Sequence, residues 1–547
     1  MSSSDENLER LEDEAIEDVT ARPQAAGSEG AEATDDGRAA NIKQIRGSSL
    51  LLVGRMLGLA LDFVSQVLIV RHLSKGEYGA FALALSIVAI GTTISLLGME
   101  RTVGRFAPIY QERRDFGRMW GSIGVVALTV VSVGIALVVG TFAFQGLIGG
   151  FIDSDLALAV LLIMILLSPL QALDALLVAL FATFGSARSI FFRRYVFAPV
   201  LQLSIVLAVI QTSSGVRELA LGYVLAAAIG IAIYVVVLYR LLARQGVLAT
   251  FDRRQLRLPF REILTFGIPL LASDLVFTLR GSLTVVLIQL LRTTEEVADF
   301  RAVLPLAIQN LFVATSFRFI FTPGASRLYA RDDRQALDDL YWQTAVWIAI
   351  LTFPLFALCV AFGEPLSAFL FGEQYRSAGV VLSIMAIGYY FNGSIGFNSL
   401  LLRVFGRVRY MVVTDMSTAV LGVVVSILLI GRFGAVGAAI GTTAILVLQN
   451  LLYQWGVRTR TTVEAFDRRY TRAYASIVVG VLGLLLVNLF VQPTLPVAFV
   501  LTGIVGLGVL GLNRQDLRIL ETYPELGRSK LVQRIFGAPR PGDAATR

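Results

Sequence analysis

A few ionisable side chains interrupt long apolar runs, and they are where chemistry could reside. Arg55 and Asp62 fall in the first run, Asp174 in the fourth, and Asp274 and Arg280 in the seventh; Arg101, Arg105 and Arg318 lie toward the ends of the second and eighth. Ionisable groups at such depth are costly to keep and mark sites, ion paths or relays. An arginine facing an aqueous cleft can replace the hydration of an anion, because its planar fork matches a phosphate bidentately. A carboxylate at that depth can carry a proton or sodium ion, or simply pair with an arginine. Arg280 is the deepest base, nineteen residues after Arg261 and twelve before Arg292. From there its side chain cannot easily snorkel to either surface. Arg55 and Asp62 are two helical turns apart and share a face.

Other chemistries are excluded by what is scarce. One cysteine, Cys359, leaves no disulfide framework or thiolate cluster, and one histidine, His72, leaves no His-based zinc site. The sequence has no GxxxxGK[ST] loop, so no intrinsic ATPase is expected, and no bound cofactor or metal.

The elements that must position these residues follow from composition. The 547 residues are 56% hydrophobic and 16% charged, with mean hydropathy +0.72. No single polar shell covers so much apolar surface, and the expectation is an all-α polytopic membrane protein. Apolar runs of about 20 residues give fourteen spans: 47–71, 78–105, 119–146, 154–183, 195–211, 217–240, 262–291, 296–321, 340–363, 377–402, 410–431, 434–456, 471–491 and 494–513. Residues 1–40 hold twelve acids and three bases without an apolar stretch, as a disordered acidic tail would. Residues 514–547 form a second, basic tail. The +7 net charge is concentrated in alternate loops. Odd-numbered loops hold seven Lys or Arg (Arg71, Lys75, Arg217, Arg292, Arg301, Arg376, Arg432) against twenty-three in the even-numbered ones. That asymmetry puts both termini in the cytoplasm and removes any need for a nucleic-acid partner.

The chain also repeats itself. Glu77 and Phe81 recur as Glu296 and Phe300, and Gly222 recurs as Gly441, each 219 positions on. Leu180, Phe184, Gly185 and Arg188 recur as Leu401, Phe405, Gly406 and Arg409 at an offset of 221. Six spans separate the copies, so the halves have the same orientation. The expected units are a six-helix lobe at 41–242, a linker at 243–261, a second six-helix lobe at 262–456, and two further helices at 457–513. Gly437 and Gly441 form a GxxxG pair suited to helix packing.

The first span and its exit, SSLLLVGRMLGLALDFVSQVLIVRHLSKGEYGAFALALS at 48–86, leave through a basic turn from Lys75 to Gly79. Together with the helix count, this resembles the Wzx-like polysaccharide-exporter branch of the multidrug/oligosaccharidyl-lipid/polysaccharide flippase superfamily. The resemblance covers about residues 42–513. It implies a multi-pass transporter of the cell membrane, not an enzyme, working as a monomer among membrane lipids. The implied cargo is a polyprenyl phosphate or diphosphate bearing an oligosaccharide, flipped from the cytoplasmic to the outer leaflet by alternating access. Under that reading Arg280 and Arg55 bind the anionic headgroup. Arg101, Arg105 and Arg318 line the cytoplasmic entrance, and Asp62, Asp174 and Asp274 are candidates for ion coupling. Pairing of Arg280 with Asp274 is the alternative use of both. Asn310, Asn392, Asn398, Gln449 and Asn450 would bind sugar hydroxyls or bridge helices. A cation-coupled multidrug exporter is the second reading. A membrane glycosyltransferase or polymerase is the third, disfavoured because the loops near 241–261 and 457–470 are short and Arg-rich.

Topology reporters fused after residues 118, 150, 190 and 250 are expected to read inside, outside, inside and inside. An inside reading at 150 breaks the span assignment.

Overall fold

In hydrocarbon, backbone polar groups must be satisfied within their own segment, so apolar runs of this length become helices. The computed structural model describes residues 54–152, 154–185, 191–464 and 466–517. Among them the chain is helical with no strand. The acidic tail 1–40 and the tail beyond 517 lie outside the described residues.

The helices are α1 (54–72), α2 (Lys75–Leu96), α3 (Met99–Glu112), α4 (Phe116–Ala143), α5 (Gln145–Phe151), α6 (Asp155–Met164), α7 (Leu167–Phe184), α8 (Ala198–Gln211) and α9 (Val216–Arg244). After the linker come α10 (Phe260–Leu291), α11 (Thr294–Ile308), α12 (Phe312–Ala330), α13 (Arg334–Ala361), α14 (Gly363–Phe371), α15 (Ala378–Ser394), α16 (Asn398–Val404), α17 (Val408–Arg460), α18 (Thr471–Val491) and α19 (Leu495–Leu512). Twelve helical stretches among the described residues are long and apolar enough to cross a membrane. That count differs from the expected fourteen at two places. One is α1, which begins at the edge of the described residues. The other is α17, whose 53 residues, at about 1.5 Å each, are more than twice as long as a hydrocarbon core of about 30 Å.

Inside α17, Gly434 has φ 58° and ψ −133°, and the chain turns back on itself there. Gly422 faces Ile445, Gly441 faces Ser426, and Tyr410 donates to the Leu452 carbonyl at 2.5 Å. A Cβ on Gly437 would overlap the Leu429 backbone. The GxxxG pair is therefore a packing device between two antiparallel helices.

Several crossings are broken. Leu97 and Gly98, at φ 47° and 69°, separate α2 from α3; a 3-10 turn at Gln309–Leu311 separates α11 from α12; and Gly396, φ 89°, lies between α15 and α16. Arg301, counted above among the loop charges although the expected span 296–321 contains it, sits within α11, which Thr293 caps, its hydroxyl accepting from the Glu296 N–H.

One motif occurs twice, 219 residues apart. Ser74 caps α2 with Glu77 in a reciprocal box, and Glu77 lies beside Gly215 at the start of α9. Thr293 caps α11, and Glu296 accepts from the Ala435 N–H at 2.8 Å, beside Gly434. At the preceding helix end, His72 Nε2 meets the Ser214 carbonyl at 2.9 Å, while Arg292 donates to the Ile430 and Gly431 carbonyls at 3.0 and 2.7 Å. In the second half, α13 is the central post. Its Tyr341, Trp342 and Phe353 are fully buried, and Gly480 of α18 and Gly506 of α19 approach its Phe353 and Pro354.

Gly434 occupies a backbone region essentially reserved for glycine, and a Cβ there would overlap Glu296 Oε2. Gly434→Ala should destabilise the protein by roughly 1–3 kcal/mol and lower its melting temperature in detergent. An unchanged melting temperature would contradict the assigned turn.

Candidate functional site: an arginine-lined seam

Helices α2 and α3 run antiparallel to α10, and the two strips are fastened along their length. The Thr93 and Thr278 hydroxyls lie 2.8 Å apart. Gly98 abuts α10, where a Cβ would come within 2.6 Å of the Gly267 carbonyl. Further along, Arg101 Nη2 donates to Asp274 Oδ1 at 2.5 Å. Phe106 packs edge-on to Phe266 at 5.5 Å between centroids, and Tyr110 donates to Glu262 at 2.9 Å. The left-handed joint at Leu97–Gly98 restarts the helix just before Arg101, and so sets the direction of that side chain. Arg105 lies over the Phe266 ring at 4.7 Å. Asp274 is thus paired with Arg101 across the seam. The side chain of Arg280, one and a half turns along α10, lies outside the described residues.

Helix α1 supplies a second wall. Arg55, Asp62 and Gln66 recur on one face, at i, i+7 and i+11. Gln66 identifies where that face looks, because its amide donates to Tyr78 Oη at 3.3 Å and to the Arg301 carbonyl at 3.4 Å. That carbonyl is available because Pro305, four residues on, has no N–H to give it. Arg55 and Asp62 are exposed on the same stripe.

The two ends of the seam differ. At the end of the sparsely charged loops, Lys75 pairs with Asp299 at 2.7 Å and lies 5.4 Å from the Tyr375 ring centroid. A Cβ on Gly79 would overlap the Thr294 carbonyl. Arg71 donates to the carbonyls of Leu370 (2.9 Å) and Phe369, and Gln374 to that of Leu73 at 3.3 Å. The short loop holding Gln374 is braced by Arg376, which donates to both Glu373 oxygens and holds that exposed carboxyl below its usual range. This end is shut by direct contact. Toward the arginine-rich loops, Arg55, Arg101, Arg105 and Arg318 are all exposed.

Two of the three acids flagged in the sequence converge elsewhere. Asp174 lines a cavity of about 170 Å³ between α7, α8 and α9, with Gln171, Gln202, Tyr223 and Tyr234. Asp62 bears electrostatically on Tyr223 from α1. Asp274 does not join them. Sequence reasoning missed Asp415, which accepts from Gln449 at 2.5 Å and Tyr453 at 2.7 Å; its signal was a lone acid inside an apolar run. The amides of Asn398 and Asn450 bridge helices, with Asn398 donating to Asn450 Oδ1 at 2.8 Å and Asn450 to the Asn392 carbonyl at 3.1 Å. Among the described residues no group of three His, Cys, Asp or Glu side chains could hold a metal.

A protein family described as "Polysaccharide biosynthesis protein" matches residues 68–380. The chain belongs to this family. It is 22% identical over 506 residues to an uncharacterized membrane protein, MJ1068, of Methanocaldococcus jannaschii, covering 88% of this chain and 97% of that one. Its fold is shared with the lipid II flippase MurJ in an inward closed conformation, at TM-score 0.65 and 14% identity over 87% of this chain and 100% of that one. An inward-facing multidrug resistance MATE transporter of the MOP superfamily follows at TM-score 0.56, with 13% identity, 73% of this chain and 93% of the other. The family member described here is a multi-span membrane protein with the fold seen in MurJ and in the MATE transporter.

Because Cys359 is buried, cysteine labelling can map the seam. Asp62→Cys should react with a water-soluble maleimide, and Gln66→Cys, one turn nearer the shut end, should react much more slowly. Equal rates would contradict the closure described.

Proposed function

We propose that this protein is a flippase that carries polyprenyl phosphate- or diphosphate-linked oligosaccharide from the cytoplasmic to the outer leaflet of the cell membrane. The observation that carries this reading is the arginine-lined seam, exposed at one end and shut at the other. A lipid tail can remain in the bilayer while its anionic headgroup crosses a low-dielectric layer, and guanidinium groups facing a cleft replace the lost hydration. The arginine-rich loops mark the exposed end as cytoplasmic by the positive-inside rule, with both termini on that side.

The lobes in this reading are 41–242 and 262–456, joined by the linker 243–261, with the last two helices outside the repeat. Arg101, Arg105 and Arg318 receive the headgroup at the entrance, and Arg55 and Arg280 hold it deeper. Alternating access consists of opening the Lys75–Asp299 end while the arginine-rich end closes. With no nucleotide motif in the sequence, the driving force is an ion gradient, the membrane potential or removal of cargo on the far side. Asp62 and Asp174, meeting around Tyr223, are the candidate coupling acids. A cation-coupled drug exporter shares the fold, but four exposed arginines suit an anion better than a cationic drug.

The test is translocation of a fluorescent polyprenyl diphosphate-linked oligosaccharide by reconstituted protein. Arg280→Ala should abolish it with melting temperature nearly unchanged, and Arg280→Lys should restore only part, because a point charge lacks the bidentate fork. Full activity in Arg280→Ala, or no translocation by the unmodified protein, would overturn the assignment.

A further inference from the structure

The pair Arg101–Asp274 differs from every other fastening along the α3–α10 seam. The other contacts are a hydroxyl pair from α2, glycine packing, an aromatic edge contact, an arginine over a phenyl ring and a tyrosine–carboxylate bond. Among the described residues this is the one ion pair between α3 and α10, and it is not sealed from solvent: Arg101 is 51% and Asp274 24% exposed. An exposed ion pair holds weakly and exchanges readily with a competing anion. A phosphate or diphosphate is a stronger partner for a guanidinium than a single carboxylate oxygen, because it accepts in two places.

Two further features make the exchange mechanically useful. Glu100 adjoins the pair, and its carboxyl feels Asp274, Arg101 and Arg194. Once Arg101 turns to another anion, the carboxyls of Asp274 and Glu100 lose the positive charge between them, and like charges repel. Moreover, α3 is joined to α2 through two consecutive left-handed residues, Leu97 and Gly98. A helix segment on such a joint can swing without breaking its own hydrogen-bond ladder.

We infer that Asp274 is a positioning residue: it holds Arg101 across the seam in the empty protein and gives it up to the anionic headgroup, so that cargo binding itself unfastens α3 from α10. The inference rests on the headgroup reading above and adds its trigger. Without cargo the seam stays fastened; with it the seam is freed to rearrange.

The experiment titrates farnesyl diphosphate against the full-length protein in detergent at low ionic strength, with farnesol and inorganic pyrophosphate as separate arms. Pyrophosphate binding as tightly as farnesyl diphosphate would identify a free-anion site and overturn the lipid headgroup as the trigger. Asp274→Asn should bind farnesyl diphosphate about two- to five-fold more tightly, the range an exposed ion pair can hold back. Arg101→Ala should bind more weakly, and the double variant should match Arg101→Ala, because Asp274 acts only through that arginine. Translocation by Asp274→Asn should slow although binding improves, a split that a merely structural role does not produce. Unchanged or weaker binding by Asp274→Asn, or the same gain in the Arg101→Ala background, overturns the inference and leaves the headgroup reading standing. Farnesyl diphosphate binding no better than farnesol in the unmodified protein overturns both.

Discussion

Every break in a membrane helix leaves carbonyls in a low-dielectric layer, and an unpaired buried polar group costs several kcal/mol there (of order 2–7). The architecture depends on how those carbonyls are met. Pro305 frees the Arg301 carbonyl, and Gln66 arrives from α1 to take it. The chain end before α16 exposes the Ser394 and Ile395 carbonyls, which accept from Tyr474 at 2.7 Å and Tyr341 at 2.9 Å. Arg292 and His72 do the same at two helix ends related by the repeat. Each repair ties a broken helix to a different one. The breaks therefore fix which helices are neighbours, and so which side chains face the seam.

Closure at the lightly charged end follows from the same economy of backbone space. Gly79 lets α2 meet the start of α11 with no side chain between, and Lys75 and Asp299 then lie opposite one another. The turn from Lys75 to Gly79, which carried much of the family resemblance, is thus the place where the two repeat-related hairpins touch. The arginines gather toward the other end, where Arg55, Arg101, Arg105 and Arg318 are exposed.

Much of this was legible in the sequence. Long apolar runs and alternating loop charge gave the spans, because hydrocarbon leaves the backbone few options. The 219-residue offset anticipated the paired clasps at Glu77 and Glu296. Partner choice was not legible: Asp274 sits six residues from Arg280 on its own helix, yet it pairs with Arg101, 173 positions away. That depends on the joint at Leu97, a residue type whose left-handed conformation no local signal announces. Arg301, counted with the loop charges, lies a full two turns inside α11, which starts at Thr294. Asp415 is a lone acid in an apolar run whose partners, Gln449 and Tyr453, are brought to it only by the turn at Gly434.

The proposed function requires an anionic lipid headgroup to occupy the seam between the two halves. Photo-crosslinking with a prenyl diphosphate bearing a benzophenone near the phosphates, followed by peptide mapping, tests it most directly. Adducts are expected on α1, α3 and α10 and at Arg318, lost when unlabelled prenyl diphosphate competes. Adducts confined to the outward faces of α18 and α19, or insensitive to that competitor, would contradict it.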